Sequence, residues 1–78
     1  MNITVYVSTH CPYCHAATVY LDQKNIEYDL KNIDLDPNLV TELNNRLPNG
    51  FRGVPVIDIN GIFIEGFDQA KIEQALSL

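Results

Sequence analysis

Residues 54–64 read Val-Pro-Val-Ile-Asp-Ile-Asn-Gly-Ile-Phe-Ile, and this stretch carries the strongest structural signal in the chain. Two apolar runs rich in β-branched residues flank the dipeptide Asn60-Gly61. Asn-Gly fits a two-residue type I′ turn well, because both central positions of that turn need a positive φ. The stretch therefore predicts an antiparallel hairpin with strands over residues 54–59 and 62–64.

The residues before the hairpin first predict a strand and a helix. Residues 2–7 alternate in hydrophobicity, which predicts a strand with Ile3, Val5 and Val7 on one face. From Pro12 to about Asn25, apolar residues recur at spacings of three and four. This spacing predicts an amphipathic helix whose apolar face is formed by Tyr13, Ala16, Ala17, Tyr20 and Leu21.

A second strand and two further helices complete the pattern. The alternation around Tyr28 and Leu30 predicts a strand over residues 27–33. Asp36 is the expected N-cap of the next helix, with Pro37 in its first position, and that helix carries Leu39, Val40, Leu43 and Leu47. Asp68 is the expected N-cap of the last helix, with Phe67 and Ile72 as a hydrophobic staple, and that helix turns Ile72, Ala75 and Leu76 inward.

The resulting order, β-α-β-α-β-β-α, predicts an α/β fold. A βαβ unit with a right-handed crossover makes the first two strands parallel, and the hairpin adds two antiparallel strands. The product is a four-stranded mixed sheet flanked by three helices, which is the minimal thioredoxin-like fold. We expect one domain over residues 1–78.

Composition and charge exclude several classes of function. The chain is 46% hydrophobic and 19% charged, as ordinary globular proteins are. Its formal charge is -5 and its five basic residues form no cluster, so nucleic acid is not an expected partner. The sequence contains no recognisable secretory signal and no apolar stretch approaching the roughly 20 residues that span a bilayer. We therefore expect a soluble, cytoplasmic monomer without a membrane partner.

The chemistry is expected at Cys11-Pro12-Tyr13-Cys14, which lies between the first strand and the first helix. A thiol at a helix N-terminus has a lowered pKa, because free N–H groups and the helix dipole stabilise its thiolate. Cys11 is therefore the expected nucleophile, and Cys14, about one turn further on, the resolving thiol. A purely structural disulfide is not expected, because closing so short a loop removes little entropy from the unfolded chain. Pro12 and Tyr13 are expected to tune potential and access.

These residues resemble the active site of dithiol glutaredoxins, in which Cys-Pro-Tyr-Cys follows the first strand. The resemblance implies a thiol-disulfide oxidoreductase that uses glutathione as co-substrate, reduces protein disulfides or glutathione mixed disulfides, and needs no bound cofactor or metal. Gly53-Val54-Pro55 resembles the family's Thr-Val-Pro segment and implies a cis Val54-Pro55 bond opposite the dithiol. Glu65-Gly66-Phe67-Asp68 resembles its Gly-Gly-x-Asp turn. Val54, Pro55, Gly66, Phe67, Asp68 and Arg52 are the implied glutathione-binding or substrate-binding residues.

Three departures leave the electron donor open. Ser8 stands where glutaredoxins carry Lys or Arg, Gly53 replaces the Thr of Thr-Val-Pro, and Glu65 replaces the first Gly of the turn. A carboxylate at Glu65 that faced the site would repel anionic glutathione. Segments 50–55 and 66–67 also resemble NrdH-type redoxins, which take electrons from thioredoxin reductase and serve ribonucleotide reductase. These two proteins are therefore alternative partners.

Rival interpretations of the dithiol are weaker. His10 and His15 flank it, but structural zinc sites normally draw on two separated ligand pairs. Cys-x-x-Cys-His also matches a haem attachment motif, although Met1 is the sole methionine and offers no credible axial ligand. A glutathione-bridged iron–sulfur cluster is disfavoured, since Pro12 resembles the cluster-free members. A non-catalytic metal-binding or interaction module is the remaining alternative. His10 is equally consistent with thiol activation and with simple exposure, whereas His15 is expected at the surface.

Overall fold

The computed structural model describes residues 2–76, and over these residues it has four strands and three helices in the predicted order. The N-terminal half contains β1 (Ile3–Val7), α1 (Pro12–Gln23), β2 (Asp29–Asn32) and α2 (Asn38–Arg46). The C-terminal half contains β3 (Val56–Ile59), β4 (Ile62–Glu65) and α3 (Gln69–Leu76). The predicted thioredoxin-like α/β fold is confirmed. Within residues 2–76, no helix is long and apolar enough to cross a membrane.

The sheet has the strand order β2-β1-β3-β4. β1 pairs parallel with β2, with Val7 opposite Asn32, and antiparallel with β3, with Tyr6 opposite Val56. The predicted hairpin joins β3 to β4, and Asn60 and Gly61 have φ values of 52° and 93°. Because β1 ends where β3 begins, the segments that follow β1 and precede β3 meet at one edge of the sheet.

The sheet is covered on both faces. The larger core cluster contains Val5 and Val7 of β1, Ala17 and Leu21 of α1, and Ile72 of α3. The second cluster, which we call the α2 cluster, lies on the other face and contains Tyr6, Leu39, Leu43, Leu47 and Val56. Tyr6 points to the opposite face of β1 from Val5 and Val7, yet it is only 1% exposed. Its burial arises because α2 covers this face of the sheet, which would otherwise be open to solvent.

Helix boundaries agree with the sequence to within one or two residues, and the predicted cap at Asp68 is confirmed. Asp68 Oδ1 accepts a hydrogen bond from the N–H of Lys71 at 3.2 Å. The predicted N-cap at Asp36 is wrong, because α2 begins one residue later than predicted and Pro37 is its N-cap. Asp36 Oδ1 instead accepts a hydrogen bond from the N–H of Asn38 at 3.0 Å, in the turn that leads into the helix. α1 ends at Gln23, because Asn25 adopts a left-handed φ of 57°.

One side-chain prediction and one pair of strand boundaries are wrong. Tyr13 was expected on the apolar face of α1, but its side chain is 70% exposed. In the first turn of α1 this position points away from the sheet, and Cys14 takes the buried place instead. The second strand is also shorter than predicted, and Leu30 within it is 57% exposed because β2 is an edge strand of the sheet.

Candidate active site

Cys11 is the N-cap of α1, and Pro12 occupies the first position of that helix. The backbone N–H of Cys14 donates to the sulfur of Cys11, with an N···S distance of 3.2 Å. The two cysteines form a disulfide with their Cα atoms 5.2 Å apart. Cys14 is 3% exposed, whereas Cys11 is only partly buried. The first sulfur is therefore the accessible one, and it faces the helix N-terminus.

This location suits a sulfur that must carry negative charge. The first N–H groups of a helix have no partner within the helix, and the helix dipole adds a partial positive charge at the same place. When the disulfide is reduced, a thiolate on Cys11 accepts the N–H that now points at its sulfur. Thiols in such positions have lowered pKa values and react as nucleophiles at neutral pH.

The segment before β3 lies directly against the dithiol. The Val54-Pro55 peptide bond is cis, as the resemblance implied, and the sulfur of Cys11 lies 3.8 Å from the carbonyl oxygen of Val54. Pro55 is buried, and its carbonyl oxygen accepts a hydrogen bond from the N–H of Gly66 at 2.9 Å. The first turn of α1 and the segment before β3 thus meet at one sulfur, and the turn after β4 is bonded to that segment.

The turn after β4 connects this site to α3 and α1. Asp68 caps α3, and Phe67 packs its ring edge-on against Tyr20 of α1, with ring centroids 5.7 Å apart. The Tyr20 hydroxyl in turn donates to Glu73 Oε1 of α3 at 2.8 Å. The turn formed by Gly66, Phe67 and Asp68 is therefore half-buried beside Pro55 and is bonded to or packed against both neighbouring helices.

Other residues predicted for the site lie at its rim. Tyr13 is exposed next to the dithiol and packs on nothing in the core. Arg52 and Gly53 are exposed in the loop that leads to Val54. His10 and His15 are both exposed, and residues 2–76 contain no cluster of three or more His, Cys, Asp or Glu side chains placed to hold a metal ion.

A small cavity of about 190 Å³ opens on the side of the dithiol that faces β2. Both cysteines line it, together with Ser8, Thr9, His15 and Leu30. A larger hollow of about 670 Å³ lies at the opposite end of β1 and β2, between Asn2, Asp22 and Asp29. Although it is larger, neither cysteine lines it, so the functional site is the one at the dithiol.

A polar group that was not predicted from the sequence lies beside this site. Asp34, which follows β2, accepts a hydrogen bond from the backbone N–H of Thr9 at 2.8 Å. The N–H and hydroxyl of Thr9, with a smaller contribution from the charge of His10, hold the pKa of Asp34 below its usual range. The predicted parallel pairing of the first two strands could have indicated this contact, because the carboxyl ends of parallel strands meet at one edge of the sheet.

Comparisons with known proteins agree with this geometry. The glutaredoxin family model matches residues 3–64. The glutaredoxin-like protein NrdH of Salmonella typhimurium is 31% identical over 67 residues, which cover 86% of this chain and 79% of that protein. An uncharacterised glutaredoxin-like 8.6 kDa protein in the rubredoxin operon of Clostridium pasteurianum is 35% identical over 74 residues, covering 95% of this chain and 96% of its own.

A solved structure gives the same result. The NrdH-redoxin of Escherichia coli, a glutaredoxin-like protein described as having a thioredoxin-like activity profile, superimposes with a TM-score of 0.85 and 27% identity. The match covers 95% of this chain and 93% of that one. With a family model that spans most of the strands and a Cys-x-x-Cys dithiol at the start of α1, the chain belongs to the glutaredoxin family and is a glutaredoxin-like thiol-disulfide oxidoreductase.

Proposed function

We propose that this protein is an NrdH-type electron carrier that reduces protein disulfides and is itself reduced by a thioredoxin reductase. The observation that carries the proposal is the carboxylate of Glu65. Glu65 ends β4, is exposed, and pairs with Val56, the residue directly after Pro55. A negative charge thus lies beside the segment on which a glutaredoxin would seat glutathione.

The distribution of cations supports the same donor. Glutathione has two carboxylates and one ammonium group, so a binding site gains from nearby positive charge. Lys24 pairs with Glu73, and Arg46 pairs with Glu42 and Asp58. Lys31 lies over the ring of Tyr6. Among the basic residues within residues 2–76, Arg52 and Lys71 are the two that lie close in sequence to Pro55 and Asp68, and Ser8 leaves the position three residues before Cys11 neutral.

The chemistry proposed is a two-step exchange. The Cys11 thiolate attacks a disulfide of the client protein, which forms a mixed disulfide and releases one client thiolate. The Cys14 thiolate then attacks the sulfur of Cys11, which releases the second client thiolate and forms the Cys11–Cys14 disulfide. Two electrons pass to the client, and a flavoenzyme of the thioredoxin reductase class returns them. No bound cofactor or metal takes part.

Because this chain resembles NrdH-type redoxins, ribonucleotide reductase is the first client protein to test. Glutathione is the second candidate donor, favoured by the Cys-Pro-Tyr-Cys sequence and by two retained family features, the cis Val54-Pro55 bond and Asp68 at the start of α3. In that case the protein would reduce glutathione mixed disulfides as well.

The experiment compares the two donors directly. Reduction of a protein disulfide by this protein is monitored through the consumption of NADPH. One assay contains thioredoxin reductase, and the other contains glutathione and glutathione reductase. We expect turnover with thioredoxin reductase and little with glutathione. Comparable or faster turnover with glutathione would overturn the proposed donor, while leaving the oxidoreductase chemistry intact.

A matched pair of variants tests the role of Glu65. Glu65→Gln and Glu27→Gln each remove one negative charge, but Glu27 lies in the hollow at the far end of the sheet. We expect Glu65→Gln to raise the glutathione-dependent rate several-fold at low salt, and the gain to shrink near 1 M salt, where the Debye length is about 3 Å. Glu27→Gln should leave the rate unchanged. Equal effects of both variants would show that only net charge matters.

A further inference from the structure

Asp34 forms a short polar network between the segment before Cys11 and the end of β2. Its Oδ2 accepts the hydrogen bond from the Thr9 N–H at 2.8 Å. Its own N–H donates to Asn32 Oδ1 at 2.9 Å, and Asn32 Nδ2 donates a longer bond of 3.4 Å to Thr9 Oγ1. Three side chains thus connect two segments that are 25 residues apart in sequence.

This network lies where the dithiol is anchored to the sheet. Val7 ends β1, and its carbonyl oxygen accepts a hydrogen bond from the N–H of Ile33 at 2.8 Å. Residues 8–10 then lead from the sheet to Cys11 without regular secondary structure. Thr9 is the middle of these three residues, so a restraint on its backbone is transmitted to Cys11 over two covalent steps.

We propose that Asp34 is a positioning residue for the dithiol. By holding the Thr9 backbone with a charge-assisted hydrogen bond, it fixes where Cys11 sits relative to Cys14. Exchange between two thiols within one chain depends on their effective concentration, which rises as they are held closer to the reactive geometry. Loss of the Thr9 restraint therefore favours the open dithiol over the disulfide. This role is independent of which donor reduces the protein.

The test measures the thiol-disulfide equilibrium itself. Four proteins are equilibrated in glutathione redox buffers: wild type, Asp34→Ala, Asp34→Asn and Asp36→Ala. The fraction that contains the active-site disulfide is then measured after acid quenching and alkylation. Asp36 is the matched control, because its carboxylate also accepts a backbone N–H in the same loop, that of Asn38, but makes no bond to residues 8–10. Urea unfolding of each variant reports stability separately.

We expect Asp34→Ala to shift the equilibrium about tenfold toward the dithiol, equivalent to about 30 mV for two electrons. Asp36→Ala should shift it less than about twofold, and Asp34→Asn should keep most of the wild-type value, since an amide oxygen can still accept the Thr9 N–H.

Two results would overturn the proposal. The first is an Asp34→Ala equilibrium within about twofold of wild type. The second is a shift in Asp34→Asn as large as that in Asp34→Ala. Loss of the charge, rather than loss of the hydrogen bond to Thr9, would then cause the shift. Should Asp34→Ala fail to fold, Asn32→Ala removes the other side-chain bonds of the network and is expected to shift the equilibrium in the same direction. An unshifted Asn32→Ala would then count against the proposal.

Discussion

The sulfur of Cys11 lies 3.8 Å from the carbonyl oxygen of Val54, although the two residues are 43 positions apart in sequence. On its other side the same sulfur accepts the N–H of Cys14. A thiol can donate to the carbonyl, whereas a thiolate is stabilised by the N–H and by the helix dipole. The loop before β3 and the first turn of α1 therefore form one reactive pocket around a single atom.

Selective alkylation of the reduced protein is the first expected outcome. Cys11 is partly exposed at the helix N-terminus, and Cys14 is 3% exposed. At neutral pH, iodoacetamide in less than stoichiometric amount should modify Cys11 at least about tenfold more than Cys14, because the reactive form is the accessible thiolate. Peptide mapping by mass spectrometry measures the ratio. Equal labelling of the folded, reduced protein would contradict the assignment of roles.

The stability of the fold should depend strongly on the α2 cluster. Leu43 is fully buried there, so Leu43→Ala removes apolar contacts and leaves a cavity. We expect a loss of about 2–5 kcal/mol in the free energy of unfolding. The matched control is Leu35→Ala, since Leu35 is 82% exposed and should lose less than about 0.5 kcal/mol. Urea unfolding measures both, and losses of similar size would contradict the described core.

Acid should remove the contribution of Asp34 to stability. The pKa of this carboxyl is lowered in the folded protein, mainly by the Thr9 N–H, so the folded state binds fewer protons than the unfolded state as the pH falls. Its contribution is complete above the unfolded pKa of about 3.9 and is lost as the pH falls below it toward the folded pKa.

The comparison that isolates this effect is wild type against Asp34→Asn. We expect wild type to be the more stable protein at pH 7, and the difference in the free energy of unfolding to narrow progressively below about pH 4. Urea titrations at several pH values measure the difference. A difference that is constant with pH, or that widens in acid, would be inconsistent with a lowered pKa at Asp34.

Local sequence patterns predicted most of this fold. Asn60-Gly61 determined the hairpin because few dipeptides adopt two positive φ values, and the alternation around Val5 identified the central strand. Cys11 and Cys14 were identifiable because the Cys-x-x-Cys sequence lies between the alternating pattern of the first strand and the helix that begins at Pro12. Such features depend on a few neighbouring residues, so they can be predicted without the tertiary structure.

Features that depend on packing between distant elements could not be predicted in the same way. Periodicity placed Tyr13 on the apolar face of α1, but only the position of the sheet determines which residues of a first turn are covered. The exposure of Leu30 follows from β2 being an edge strand, which the order of elements does not reveal. The bond between Asp34 and Thr9 depends on strand register, and a hydrogen bond of this kind has no local sequence signature.

The assignment of Cys11 as the attacking thiol and Cys14 as the resolving thiol can be tested by trapping the mixed disulfide. Cys11→Ser and Cys14→Ser, each fully reduced, are mixed with a disulfide-containing protein, and covalent adducts are identified by mass spectrometry. We expect a stable mixed disulfide through Cys11 in Cys14→Ser and none in Cys11→Ser. An adduct of equal yield through Cys14 in Cys11→Ser, or no adduct in either variant, would contradict it.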